Sequence, residues 1–104
     1  YIADLYAHPQ VHEKVRLTVF DALRPQYHGG PAYVPANAWK MGALFASTDP
    51  VAADATALKL IAAKRREVGL PTLEKEGRSP TWLHQAAQRG LGVDDLGLIT
   101  EVRG

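Results

Sequence analysis

The segment from Gly42 to Pro50 constrains this chain more than any other. Gly42-Ala43-Leu44-Phe45-Ala46 is a short apolar run, read as a buried strand. Ser47-Thr48-Asp49-Pro50 follows directly. Asp49 suits a helix N-cap, where its carboxylate accepts an otherwise unpaired backbone N–H, and Pro50 suits the first helical position. The chain must therefore stop a strand and start a helix within a few residues. The expected helix runs from about Pro50 to Val68 and ends at Gly69 and Pro71. Val51, Ala55, Leu58 and Ala62 form its apolar stripe. Ala57 and Leu60 make the opposite side fairly apolar, so cover on more than one side is expected. Lys64-Arg65-Arg66 places positive charge where the helix dipole favours it.

The rest of the chain yields shorter elements. Ile2, Leu5 and Tyr6 share a face at helical spacing, and His8-Pro9 interrupts them. Val15 to Phe20 reads as a strand, with Val15, Leu17 and Val19 alternating against Arg16 and Thr18, and Asp21 at its carboxyl edge. Residues 24–40 read as a long loop punctuated by Pro25, Gly29, Gly30, Pro31 and Pro35. Ser79-Pro80 predicts a second capped helix over about Pro80–Arg89, with Trp82, Leu83, Ala86 and Ala87 on its apolar face. A last strand is expected within Leu96–Val102. If the strands at 43–46 and 98–102 are parallel, the two helices form a right-handed crossover. The order predicts an α/β fold: a small sheet with helices packed on it, part of a larger α/β domain. The 104 residues form a single domain or a C-terminal fragment of one. The opening Tyr1-Ile2-Ala3 reads like the inside of an element, which favours the fragment.

Composition excludes several function classes. Hydrophobic residues make up 46% and charged residues 22%, as in globular domains and unlike disordered chains. A net charge of +1 offers no electrostatic footprint for nucleic acid. No apolar run is long enough for a membrane span, and the chain reads as soluble. With no cysteine, these residues cannot supply thiolates to zinc or to an iron–sulfur cluster. No cofactor is expected in this chain.

Three groups of residues, together with Asp21, are candidates for a ligand site. Ser47, Thr48 and Asp49 lie where a helix N-terminus could hold an anion, although Asp49 would occupy the same N–H groups as a cap. Asp54 flanks the apolar stripe and so calls for a hydrogen-bond or cationic partner, or a ligand. His28-Gly29-Gly30-Pro31 could offer backbone donors to a ligand or form a tight turn. Ligands of open α/β sheets bind beyond the carboxyl ends of strands. Parallel strands ending at Asp21 and Ala46 would bring Asp21, His28 and Asp49 to one rim, and antiparallel strands would separate them. The competing reading is structural: Asp49 caps, Asp54 ties its helix to the loop, and the domain docks on a partner.

Four segments, in order, resemble one family. They are Leu17-Thr18-Val19-Phe20-Asp21-Ala22, Gly29-Gly30-Pro31, Ala46 to Asp54 (Ala-Ser-Thr-Asp-Pro-Val-Ala-Ala-Asp), and Gly90-Leu91-Gly92-Val93-Asp94-Asp95-Leu96. Together they resemble the C-terminal half of the domain-of-unknown-function family 362, over roughly residues 15–102. Asp21, Gly30, Pro31, Asp49, Pro50 and Asp54 match the motif positions. The resemblance implies a missing N-terminal region as partner and an association with iron–sulfur proteins, with any iron–sulfur cluster lying in that missing N-terminal part or in a partner, but no reaction and no named ligand. Ile61 to Leu70 resembles the branch whose precursors carry twin-arginine export signals.

Overall fold

The computed structural model describes residues 2–78 and 80–102. Its helices are α1 (Ile2–Ala7), α2 (Pro9–His12), α3 (Pro50–Glu67) and α4 (Thr81–Gln88). The strands are β1 (Thr18–Ala22) and β2 (Ala43–Ser47), and single 3-10 turns occur at Pro35–Asn37 and Leu96–Leu98. A small two-stranded sheet with helices packed around it gives an α/β arrangement.

β1 and β2 pair antiparallel, with Thr18 opposite Ser47 and Asp21 opposite Leu44. The connection explains the direction. Leu23 O accepts from the N–H groups of Met41 and Gly42, Trp39 N–H donates to Pro25 O, and Gln26 bridges Ala38. Residues 23–42 are therefore the long loop of a hairpin, which closes locally and needs no crossover.

Thr18, Phe20 and Ala22 share one face with Ala43, Phe45 and Ser47, and this face is the less exposed one. Phe20 and Phe45 stack across the strands with ring centroids 4.6 Å apart and planes 6° apart. α3 packs against both strands and against α4. The core is built from small and aliphatic side chains: Ala3, Val51, Ala55, Leu83 and Ala86. Val51 and Ala55 bury toward α1 and α4, while Ala53 and Thr56 bury on another side of α3, so the helix is covered on two sides as its sequence predicts.

The strand expected within Leu96–Val102 is absent from the described residues. Asp95 Oδ1 accepts from Gly97 N–H at 2.9 Å and curls the chain into a 3-10 turn. Leu98 and Val102 remain exposed with no strand beside them, so no crossover between parallel strands forms. α4 starts at Thr81 after Pro80. The cap expected at Ser79 lies outside the described residues.

Candidate functional site

Asp49 is placed by the end of β2 and the start of α3. Its Oδ1 accepts from Val51 N–H at 2.9 Å and from Ala52 N–H at 3.0 Å, the bonds of an N-cap. Its Oδ2 accepts from Val93 N–H at 2.9 Å. Ser47 Oγ accepts from Asp49 N–H and donates to Asp49 O, both at 3.0 Å. Both carboxylate oxygens and the Ser47 hydroxyl are thus engaged within the chain. Val93 can reach Asp49 because Gly92 has no side chain: a Cβ there would overlap Asp49 Oδ1 and come within 2.6 Å of Val51 Cβ. The Gly-Leu-Gly segment is a close-approach device at the α3 N-terminus. Tyr6 lies near enough that its hydroxyl is pushed above the usual phenol range, first by burial and then by the Asp49 charge.

The His28–Pro31 segment is a compact turn. Gly29 has φ +91°, and the Gly30–Pro31 bond is cis. Gln26 clamps the far side of the loop, donating from Nε2 to Ala32 O at 2.9 Å and accepting from Val34 N–H at 2.8 Å through Oε1. Asn37 Nδ2 donates to His28 O at 3.2 Å. A Cβ on Gly29 would meet Val34 Cγ2 at 3.1 Å.

Arg65 ties this loop to the helix layer. It is 2% exposed. Nη1 donates to Tyr27 O at 3.0 Å and lies 3.3 Å from His28 Nδ1. Nη2 donates to Pro71 O at 2.9 Å and pairs with Glu76 Oε1 at 2.9 Å. Sequence reasoning takes Arg65 as a charge for the helix dipole. The missed signal is spacing: Val51, Ala55, Leu58 and Ala62 lead by alternating steps of four and three to Arg65, so an arginine continues the apolar stripe.

Asp21 and Asp54 stand apart from these groups. Asp21 Oδ1 accepts from Leu23 N–H at 2.7 Å, forming a local turn. It lies opposite Leu44, near the start of β2, whereas Ser47, Thr48 and Asp49 follow the other end of that strand. The antiparallel register therefore separates Asp21 from Asp49. The structure brings His28 and the glycine turn to Arg65, and Ser47 and Asp49 to Val93. Asp54 is exposed on α3, and the surrounding protein raises its carboxyl above the ordinary range. It does not tie α3 to the loop; Arg65 does.

Among the described residues no group of three or more His, Asp or Glu side chains could hold a metal ion. No described helix is long and apolar enough to cross a membrane. A cleft lies elsewhere, between α3 and α4, with a volume of about 750 Å³. His84 and Asp94 line it and pair at 3.1 Å.

A family model described as Domain of unknown function (DUF362) matches residues 1–59. Comparison with curated proteins and with solved structures finds no match. The family match corrects the sequence reading, which places the resemblance over residues 15–102 and in the C-terminal half of the family. The matched span is the N-terminal part of this chain. It contains Asp21, the glycine turn and the Ser47–Asp54 segment, and omits Gly90–Leu96. The glycine of that late segment is accounted for by its contact with Asp49 and Val51.

Proposed function

Because the chain belongs to the DUF362 family, whose description carries no reaction, we propose from its geometry that it is a docking module. Its occupant is further β-structure of a larger α/β domain, supplied by polypeptide outside these 104 residues. The outer face of the β-hairpin carries this reading. Leu17 and Val19 are each 61% exposed and Leu44 is 67% exposed, on one side of a sheet with only two strands. A lone hairpin is marginal in water, and large apolar side chains left exposed on one face of a two-stranded sheet are a mark of an interaction surface, here with Asp21 on the same face opposite Leu44. The internal engagement of Asp49, Ser47 and the His28–Pro31 turn supports the same reading, since these groups hold the module together. A ligand site at the strand ends is less favoured because Asp21 and Asp49 sit at opposite ends of the hairpin. On this reading any iron–sulfur cluster, and any export signal, belongs to the rest of the polypeptide.

The chain has no cysteine, so single thiols can report on this face. Val19→Cys and Leu44→Cys are to be labelled with a maleimide, with Ala63→Cys on exposed α3 as control, and read by peptide mass. All three should label in the 104-residue chain. In the longer polypeptide, positions 19 and 44 should be protected and position 63 should not. Equal labelling at all three positions in the longer polypeptide refutes the docking face.

A further inference from the structure

We propose that the cleft between α3 and α4 binds a small monocarboxylate with an apolar body. Its volume of about 750 Å³ is in the usual range for small-molecule sites. The walls are apolar: Ala55, Leu58 and Ala62 from α3, Leu83 from α4, and Leu70 and Leu96 from the flanking segments. Such a surface suits a hydrocarbon chain or ring.

The head group is read from the polar atoms that line the same cleft. Lys59 pairs with Glu101, and His84 pairs with Asp94. Arg65 also lines the cleft, and its Nε is buried with no hydrogen-bond partner among the described residues. An orphaned buried donor on a cation costs stability, and an acceptor with negative charge relieves that cost best. Arg66, next to it on the rim, makes no side-chain hydrogen bond or ion pair with the described residues. Glu74 is the opposing charge on the rim, so an ammonium head group is the contrary case to be tested. The carboxylate would sit at the Arg65–Arg66 end, with the apolar body running along α3 toward Leu58 and Ala55.

Octanoate is the probe, with octanol and octylamine as head-group controls. Each is titrated into the 104-residue chain while backbone amide resonances are followed. Octanoate should give saturable shifts confined to α3, α4 and residues 70–74, with Kd on the order of 1 mM for so small a ligand. Arg66→Gln should weaken it about three- to fivefold, as expected for one exposed charge. Ala62→Trp should abolish binding, because it fills the cleft from an exposed helix position and leaves the core intact. Octanol or octylamine binding as tightly as octanoate overturns the carboxylate assignment. Absence of saturable shifts, or shifts unaffected by Ala62→Trp, overturns the site. These outcomes are independent of thiol protection on the hairpin face.

Discussion

Asp49 Oδ2 accepts a hydrogen bond from the backbone N–H of Val93 at 2.9 Å, across 44 residues of sequence. The other oxygen of the same carboxylate caps α3. One side chain thus starts the central helix and anchors the segment that follows α4. A helix cap is a local device, but here it also closes the tertiary structure.

Replacing Asp49 by Ala removes the cap and leaves Val93 N–H without its acceptor. The expected loss is about 2–3 kcal/mol, the sum of a cap and a charge-assisted hydrogen bond. Asp49→Asn keeps the cap through its one oxygen but sets a donor, Nδ2, against Val93 N–H, so it should recover only the capping part of that loss. Urea denaturation measures both. Hydrogen exchange at the Val93 amide should accelerate in Asp49→Ala before the protein unfolds globally, and unchanged protection there would sever the proposed link.

Gly92 and Gly90 separate steric cost from backbone cost. Gly90 has φ +72° and open space where a Cβ would go, so Gly90→Ala should cost about 1 kcal/mol. Gly92 needs no positive φ, but its Cβ would enter Asp49 and Val51. Gly92→Ala should cost about 2–3 kcal/mol by overpacking. A thermal-melt series in which Gly90→Ala is the more damaging change would contradict the close contact at the α3 N-terminus.

Arg65 and Arg66 are neighbours in sequence with opposite expected sensitivities. Arg65→Met leaves Glu76 and two carbonyls without their donor, and should cost about 3 kcal/mol. Arg66→Ala should stay within about 0.5 kcal/mol of the parent, as exposed substitutions do. Before global unfolding, Arg65→Met should also raise amide exchange at residues 26–38, because the loop loses its tie to α3. Exchange confined to α3 would show that the loop holds itself.

Two carboxylates carry opposite pH signatures. Partial desolvation by the surrounding protein raises Asp54 above its ordinary 3.8, so its contribution is fully present below that value and is lost as pH rises through the folded-state value. Asp54→Asn should therefore melt higher than the parent at neutral pH, with the difference vanishing in acid. The hydrogen bond from Arg89 lowers Asp4, so its contribution is present above 3.8 and is lost as pH falls through the folded-state value. Asp4→Asn should melt lower than the parent at neutral pH and converge with it in acid. Melting temperatures between about pH 2 and pH 8 test both signs.

Local chemistry made part of this structure legible in advance. The apolar run at 42–46, Asp49 and Pro50 announce β2, the cap and the start of α3, because those signals act between residues a few positions apart. The small α/β class follows from the same local reading. The stripe on α3 is equally local, and it would have flagged Arg65 had its period been followed one step further. Asp49 as a cap was likewise readable; Val93 as the donor to its other oxygen was not.

The amino-acid sequence by itself determined the extended run of β2, the cap at Asp49 and where α3 begins. Tertiary structure decided the direction of β1 against β2, and so parted Asp21 from Asp49. It also decided that Leu96–Leu98 would curl instead of pairing. Strand direction depends on how residues 23–42 fold back, with Leu23 O accepting from Met41 and Gly42. A strand at 96–102 would need a neighbouring edge, and Leu98 and Val102 have none beside them among the described residues. Hydrogen bonds between distant segments form only if the backbone brings them together. Residue type governs the propensity to seek such partners, and the fold governs which partner is met.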